Sequence, residues 1–330
     1  MTQRLRLGNR KWWLFVLITG LILSLVFFLL TPWNTSQLSS HPRPAQSYTE
    51  ALQLIEILRK QEPLQMNPLC QLQLMTHSKK TDRAIILVHG YTSCPQQFHD
   101  LGERFYHAGY NVLIAPLPHH GLADRMSEAQ GKLTAQELAA YADHTVDIAR
   151  GLGKKVFMMG LSAGGVTTAW AAQNRSDIDL AVIISPAFGF KKIPTSLTGA
   201  TMNIYSVLPD AFEWWDPILK EKGASAHAYP QYSRHALVEI LRLSFATLEE
   251  AGHKPPAAKK LIVILNNNDT MVNNELTKNI ASIWHAHKAD LITYEFQANL
   301  KLAHDLIDPS KPNQRTEIVY PRLMEFVSHE

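Results

Sequence analysis

The sequence is poor in cysteine, in charged clusters and in low-complexity segments. It has two cysteines among 330 residues, Cys70 and Cys94, which excludes a disulfide-rich scaffold and a cysteine-ligated zinc site. No repeat with a fixed period is present, and this excludes a solenoid or a propeller. A content of 46% hydrophobic and 18% charged residues is typical of a globular chain with a sizeable core.

Acidic residues are missing from the first 33 positions, and this explains the net charge of +3. Residues 1–33 carry four of the 32 Lys and Arg residues and none of the 29 Asp and Glu residues. The rest of the chain is therefore balanced to within about one charge. No basic excess remains to bind a nucleic acid.

The N-terminal segment has the pattern of a transmembrane anchor. A basic tail, residues 1–11, precedes an uncharged apolar run at 12–30, and tryptophans flank the run at both ends. At about 1.5 Å per residue this run comes close to the roughly 30 Å of a bilayer core. A cleaved signal peptide is the alternative, but the run is too long and "LLTPWNTS" has no A-x-A site. The sequence predicts an anchor at 12–33, a cytoplasmic tail and an exported body, in a bacterial periplasm or on the outer face of a plasma membrane.

Export bears on the two cysteines. In an oxidising compartment Cys70 and Cys94 are able to pair, and closing a loop of roughly 25 residues would stabilise the fold by about 3 kcal/mol. Two unrelated free thiols are the alternative. The sequence thus predicts a possible disulfide between these residues.

Strands and helices alternate after a short linker at 34–47, which predicts an α/β fold on a mostly parallel sheet with helices on both faces. A core is expected at 48–187 and 259–330. Residues 188–258 interrupt the alternation with helical periodicity and aromatic residues, which predicts a helical cap. Predicted strands lie at 70–77, 83–90, 110–117, 155–160, 180–187, 260–269 and 291–297. Predicted helices lie at 48–61, 95–109, 133–153, 163–174 and 274–287.

The segment "KVFMMGLSAGGVTTAWAA" places Ser162 between a predicted strand and a predicted helix. G-x-S-x-G by itself is short enough to occur by chance. In a strand-to-helix turn it predicts a nucleophile elbow, where the serine hydroxyl is presented at the carboxyl edge of the sheet.

A serine needs a base, and the base needs an orienting acid, in the chain order Ser, Asp or Glu, His. Asp269 ends the predicted strand 260–269, and His304 follows the last predicted strand. Asp290 precedes a strand and so lies at the wrong edge, whereas Asp305 and Asp308 adjoin His304 and more plausibly cap a helix. The sequence predicts a triad of Ser162, Asp269 and His304.

The oxyanion of a tetrahedral intermediate needs two backbone N–H donors. One should follow the nucleophile, at Ala163. The other should come from the loop after the strand 83–90, and Tyr91 is the expected donor.

These motifs together resemble the α/β-hydrolase family, in its lid-bearing monoacylglycerol lipase and serine aminopeptidase-like branch. The matching pieces are "VHGYTSCPQQF", "APLPHHGLADR", "GLSAGG", "NNNDTMV" and "AHDLI". The resemblance implies a hydrolase with a Ser-His-Asp triad that acts through an acyl-enzyme. The chain departs from the family pattern P-G-H-G-x-S at His119, which replaces the glycine.

The sequence therefore predicts a membrane-anchored serine hydrolase acting on a carboxylic ester, with a lipid or acylglycerol favoured because of the anchor. A peptidase or thioesterase of the same fold, or a non-catalytic module on a hydrolase scaffold, are the alternatives. No cofactor is expected. No metal is expected either, because the histidines at 119–120 and 285–287 have no carboxylate or cysteine cluster beside them. The oligomeric state is not predicted.

Overall fold

The computed structural model describes residues 4–35, 38–311 and 314–328. The helices are α1 (Arg4–Leu30), α2 (Tyr48–Gln61), α3 (His99–His107), α4 (Ala135–Leu152), α5 (Ala163–Asn174), α6 (Thr198–Val207), α7 (Arg234–His253), α8 (Asn274–Ala286) and α9 (Thr316–Ser328). The strands are β1 (Gln73–Met75), β2 (Thr81–Val88), β3 (Asn111–Ile114), β4 (Gly153–Leu161), β5 (Leu180–Ile184), β6 (Phe212–Trp214), β7 (Gln231–Ser233), β8 (Leu261–Asn266) and β9 (Leu291–Phe296). Several short 3₁₀ turns join them.

Seven strands form one sheet in the order β1-β3-β2-β4-β5-β8-β9. All neighbours are parallel except β1, which pairs antiparallel with β3. The central strands are buried on both faces, as expected for continuous apolar runs in a parallel sheet. The predicted mostly parallel α/β fold is confirmed.

Two hydrophobic clusters cover the two faces of the sheet. Along β2, Ile85 and Leu87 belong to the cluster that also holds residues of α3 and α9, whereas Ile86 and Val88 belong to the other. The second cluster includes residues of α2, α4, α5, α7 and α8. This alternation follows from the two-residue period of a strand, and it fixes which face of the sheet each side chain occupies.

The start of α4 has the capping box that its sequence predicts. The Thr134 hydroxyl accepts a hydrogen bond from the Glu137 N–H, and the Glu137 carboxylate accepts one from the Thr134 N–H. These bonds satisfy N–H groups that a helix start leaves open. The helix α9 was not predicted; Pro321 in its middle removes one backbone donor and obscures the helical pattern.

Residues 188–258 contain α6 and α7 and also a two-stranded antiparallel sheet of β6 and β7. Each of these strands has three residues, which is too short to give a readable alternation. We call residues 188–258 the cap.

Residues 38–47, expected to belong to a free linker, are bound along α4. Asp143 accepts hydrogen bonds from Ser40 and His41, and Asp147 accepts one from the N–H of Arg43. Both carboxylates are in turn paired with Arg175, whose side chain is fully buried. Residues 38–47 are therefore an extended strap fixed to α4, because buried carboxylates accept hydrogen bonds from its backbone N–H groups.

Among the described residues, one helix is long and apolar enough to span a membrane, Trp12–Leu30 within α1. None of these residues is buried against the rest of the chain. By length and composition, an anchor and a signal sequence would both meet this description.

Candidate active site

Ser162 lies in a sharp turn between β4 and α5. Its backbone has φ 58° and ψ −115°, a region that residues with a side chain rarely occupy. Neighbouring backbone enforces it, since the Ser162 N–H donates to the Ile184 carbonyl and the Ser162 carbonyl accepts from Ala187 N–H. The side chain makes no capping hydrogen bond to α5, so the hydroxyl is not consumed by the helix.

Two glycines let the chain pass through this turn. A Cβ on Gly160 would lie 2.1 Å from the Gly164 carbonyl oxygen, and a Cβ on Gly164 would lie 2.1 Å from the Val88 carbonyl oxygen. Real Cβ atoms do not approach backbone this closely, so any side chain at either position would push β4, α5 and β2 apart. The glycines of G-x-S-x-G are therefore required by packing, as a nucleophile elbow demands.

His304 and Asp269 are joined by a hydrogen bond. His304 Nδ1 donates to Asp269 Oδ2 across 2.8 Å. The other oxygen, Oδ1, accepts from the N–H groups of Met271 and Val272. The Asp269 side chain is fully buried, and that of His304 is 13% exposed. The carboxylate thus fixes the tautomer of the ring and leaves Nε2 as the proton acceptor.

The two groups shift each other's pKa in opposite directions. Burial alone would raise the pKa of Asp269, but attraction to His304, its hydrogen bond and two backbone donors together hold that pKa below its ordinary value. Burial would lower the pKa of His304, but attraction to and hydrogen bonding with Asp269 outweigh it and raise that pKa. Asp269 is therefore ionised at neutral pH, and His304 is a stronger base than a free imidazole.

A buried asparagine positions the loop that carries His304. Asn266, at the end of β8, donates from Nδ2 to the carbonyls of Leu302 and Ala303. This bond ties the histidine loop to the strand before Asp269. Asn266 is not among the residues predicted for the site; its one signal in the sequence is that a polar residue ends an otherwise apolar strand.

The loop after β2, residues 89–94, lies directly beside Ser162. We call it the oxyanion loop. A Cβ on Gly90 would be 3.6 Å from the Ser162 Cβ, so the two loops are in contact. Neither the Tyr91 N–H nor the Ala163 N–H donates a hydrogen bond to any residue that the structure describes. Two unengaged donors flanking a hydroxyl are what an oxyanion site needs.

Two buried histidines brace the oxyanion loop. His89 Nε2 accepts from Leu117 N–H while its Nδ1 donates to the Gly90 carbonyl. His120 Nε2 accepts from Thr92 N–H. Burial lowers the pKa of His89 well below its ordinary value and lowers the pKa of His120 to about 4. Both rings are neutral supports of the loop at physiological pH.

Gln97 connects this loop to the histidine loop. It is buried, accepts from the Gly90 N–H at Oε1, and donates from Nε2 to Asp305, the neighbour of His304. This role could not be predicted from the sequence, because the segment "CPQQF" does not indicate which of its two glutamines is buried.

His119, where the family pattern has glycine, has φ 63°. The backbone therefore keeps the left-handed conformation that favours glycine, and a histidine tolerates it better than most residues do. Its ring contacts Glu137 at 2.9 Å. In this chain a residue with a side chain thus occupies the left-handed backbone position.

A cavity of about 210 Å³ lies over the turn, and it brings together four of the predicted residues: Tyr91, Ser162, Ala163 and His304. The cap supplies its roof. Apolar and aromatic side chains form much of that roof: Phe190, Trp215, Tyr229, Pro230, Leu237 and Ile240. Charged residues also reach the cavity: Asp216, Lys220, Asp305 and Lys311.

The cap is fastened to the oxyanion loop. Trp215 Nε1 donates to the Thr92 hydroxyl at 2.9 Å, and the Tyr229 N–H donates to the Thr92 carbonyl. The Tyr91 hydroxyl accepts from the Ser233 N–H of β7. The cap and the proposed oxyanion donors thus share one set of contacts.

Cys70 and Cys94 form a disulfide bond, with their Cα atoms 5.2 Å apart. Cys94 is the last residue of the oxyanion loop. The bond ties that loop to the segment before β1, which limits its movement.

Known proteins resemble this chain at several levels. A model of the family described as serine aminopeptidase, S33, matches residues 79–295. A thermostable monoacylglycerol lipase of Bacillus sp. (strain H-257) is 27% identical over 169 residues, which are 49% of this chain and 62% of the lipase. The match therefore spans less than two thirds of that relative.

Solved structures share the fold at low identity. A monoacylglycerol lipase from Paleococcus ferrophilus has a TM-score of 0.60 at 19% identity, covering 78% of this chain and 98% of that one. A soluble variant of monoglyceride lipase from Saccharomyces cerevisiae has a TM-score of 0.59 at 12% identity, with 78% and 91% covered. At these identities the likeness supports the fold.

Proposed function

The chain belongs to the serine aminopeptidase (S33) family, and on that premise we propose that it is a membrane-anchored serine hydrolase that cleaves carboxylic esters of the lipid or acylglycerol type. One observation carries the proposal. Ser162, held in a strained turn, lines the same cavity as His304, whose ring is already oriented by Asp269. This is the arrangement that activates a serine hydroxyl.

In the proposed reaction Ser162 Oγ attacks the ester carbonyl carbon while His304 Nε2 takes the hydroxyl proton. The tetrahedral oxyanion accepts hydrogen bonds from the N–H groups of Tyr91 and Ala163. His304 then returns the proton to the departing alcohol, and an acyl-enzyme remains on Ser162. A water molecule, deprotonated by His304, attacks the acyl carbon; the bond from that carbon to Ser162 Oγ breaks, His304 returns the proton to Oγ, and the carboxylic acid leaves.

The charged groups at the cavity favour an ester over a peptide with a free amino terminus. An aminopeptidase would need an acidic group free to hold the substrate's ammonium. Asp305 is paired with Lys311 at 3.0 Å, and Asp216 Oδ1 accepts from the N–H groups of Ile218 and Leu219. Asp305 is thus neutralised and Asp216 is bound on one oxygen, while the roof is largely apolar, and this supports an acyl chain as the ligand.

The anchor and the export of the body are part of the same proposal. None of residues 12–30 is buried against the rest of the chain, and so much apolar surface would be costly in water and is favourable in a bilayer. The basic tail before them supports a cytoplasmic N-terminus. The bond between Cys70 and Cys94 supports an oxidising compartment for the catalytic body.

The nucleophile is tested with a fluorophosphonate probe on the full chain. Native protein should be labelled and should hydrolyse p-nitrophenyl esters, whereas Ser162→Ala should do neither while keeping its unfolding midpoint. Ser185→Ala is the matched control, because Ser185 also has a positive φ, at 38°, but is fully buried. Hydrolysis that persists in Ser162→Ala would overturn the assignment.

The substrate class is tested with p-nitrophenyl esters of rising acyl length beside aminoacyl p-nitroanilides and a thioester. We expect the esters to be preferred, with kcat/KM rising with acyl length until the cavity is filled. Preference for the anilides would replace the esterase with a peptidase. Absence of both labelling and turnover would favour a non-catalytic module.

A further inference from the structure

The carboxyl end of α1 is bound to the cap, and the contact is made by one buried side chain. Asn203 of α6 donates from Nδ2 to the carbonyls of Leu29 and Thr31, and its Oδ1 accepts from the Trp33 N–H. The last carbonyls of a helix have no partner within the helix, so here the cap supplies part of the termination of the anchor. The anchor and the cap are one connected unit.

The backbones of α1 and α6 also approach closely. A Cβ on Gly199, one turn before Asn203, would lie 2.6 Å from the Leu30 carbonyl oxygen. Trp33 completes the end of α1, since its Nε1 donates to the Phe28 carbonyl and its ring packs 4.7 Å from that of Phe28. The chain therefore turns from the anchor directly onto α6.

Beside this contact, α6 and the two residues that flank it form an exposed apolar stripe. Leu197, Ile204 and Leu208 recur at helical spacing on one side, and Val207 lies between that side and Asn203. The exposed fraction is 47% for Leu197, 45% for Ile204, 44% for Leu208 and 70% for Val207. We call these four residues the α6 stripe. A patch of this kind on a soluble surface marks an interaction site.

From these contacts we infer that the α6 stripe lies in the bilayer surface, in the leaflet where the anchor ends, so that the cap is the membrane-facing side of the enzyme. The inference rests on the anchor in the proposed function. If residues 12–30 fill the hydrocarbon core, Leu30 lies at its edge, and the headgroup layer beyond is roughly 5–8 Å thick on each side. A helix about 10 Å wide that is hydrogen-bonded to Leu29 and Thr31 must reach into that layer with one face.

The placement has a consequence for the substrate. On its inner side α6 packs through Met202 against Val238 and Leu241 of α7, and the same helix α7 contributes Leu237 and Ile240 to the cavity. Helix α7 thus touches α6 on one side and the cavity on the other, so the membrane-facing helix of the proposal lies one helix away from the cavity. This arrangement suits a lipid ester that is drawn from the leaflet.

The test measures the depth of the stripe in full-length protein reconstituted into phosphatidylcholine–phosphatidylglycerol vesicles. Ile204→Cys and Val207→Cys are each labelled with an environment-sensitive fluorophore; Cys70 and Cys94 are bonded to each other, so the new thiol is the reactive one. Lipids with brominated acyl chains quench the label when it reaches them. Ile292→Cys on β9 is the matched control, since Ile292 is also a partly exposed isoleucine, at 40%.

We expect quenching at positions 204 and 207 to be at least about threefold greater than at 292. Asn203→Asp removes the two donated bonds at almost constant shape and should reduce quenching at 204 by about half or more, whereas Asn174→Asp, on α5, should not. Equal, weak quenching at 204 and 292 in protein that floats with the vesicles would overturn the inference and leave the anchor standing. Energy transfer between labelled copies with no quenching would assign the stripe to a second copy of the chain and also overturn it.

Protein that fails to float with the vesicles would contradict the proposed anchor, and the inference would fall with it. Fluorophosphonate labelling of Ser162, measured on the same samples, reports the proposed chemistry separately. If the protein floats with the vesicles and Ser162 reacts with the fluorophosphonate, but the label at position 204 is not quenched, only this inference is contradicted.

Discussion

The two walls of the cavity are built by different means. On the core side, Ser162 is held by backbone hydrogen bonds with Ile184 and Ala187, and His304 by a buried carboxylate. On the cap side, apolar rings cover the space, and a few hydrogen bonds such as that from Trp215 to Thr92 fasten them. The core fixes positions of atoms, while the cap fixes what may approach them.

This difference predicts where a substitution will change chemistry and where it will change access. A strained turn and a buried ion pair are each stable in one arrangement only, so a substitution in the core wall displaces the reacting groups directly. Apolar cover can repack when one side chain changes, at a smaller cost. Changes in the core wall should therefore appear in kcat, and changes in the cap wall mostly in KM.

The largest effect is expected from Asp269→Asn on the core side. The substitution keeps the shape but removes the charge that orients His304, so kcat should fall by about 10⁴. It should also remove the attraction that raises the pKa of His304. His304 must be neutral to act as a base, so activity falls as pH drops through its pKa, and the acidic limb should move to lower pH in the variant.

The pH profile of kcat/KM between pH 4 and 9 gives both quantities. Asp290→Asn is the control, because Asp290 is exposed and precedes β9 at the opposite edge of the sheet. An unshifted acidic limb in Asp269→Asn would show that the limb does not report His304.

A smaller effect is expected on the cap side from Trp215→Phe. Phenylalanine keeps an aromatic ring against Tyr91 and Tyr232 but loses the bond to the Thr92 hydroxyl. The removal of one such bond should lower kcat/KM by about tenfold, mainly through KM. Steady-state kinetics with a medium-chain ester measures the split between kcat and KM.

Trp214→Phe is the matched control for that variant. Trp214 is the neighbouring residue on β6 but is not among the residues that line the cavity. Equal losses in the two variants would mean that Trp215 acts through the packing of the cap in general and not through the oxyanion loop.

The core elements of the fold could be predicted from the sequence, whereas contacts between distant side chains could not. Core elements follow from apolar runs and capping residues, so α2 and α5 were predicted at their observed bounds, and the residues of the predicted triad and oxyanion site meet at one sheet edge. The hydrogen bonds that hold the loops of this site could not be predicted. Asn266 bonds to the loop before His304, and Gln97 bonds to Gly90, and no local pattern shows that these side chains point inward. In the strap at 38–47, composition predicts a free linker, whereas Asp143 and Asp147 of α4 bind its backbone.

His119 offers the smallest expected effect, and it tests whether the departure from the family pattern matters. His119→Gly relieves a positive φ, worth about 1 kcal/mol, but glycine adds unfolded-state entropy of a similar size, about 0.4–1 kcal/mol. The half-exposed contact with Glu137 contributes less than about 1 kcal/mol. The free energy of unfolding should therefore change by no more than about 1 kcal/mol, and kcat/KM should be unchanged.

Urea unfolding of His119→Gly beside Gly121→Ala checks this balance. Gly121 has φ 85°, and a Cβ there would lie 2.9 Å from the Cys70 Cβ and from the Met66 methyl group. Alanine at 121 is strained by both backbone and contact, so it should lower the free energy of unfolding by more than about 1 kcal/mol. If His119→Gly instead destabilises as much as Gly121→Ala, the bond from His119 to Glu137 holds the loop in place, and the core wall extends further from Ser162 than its backbone contacts indicate.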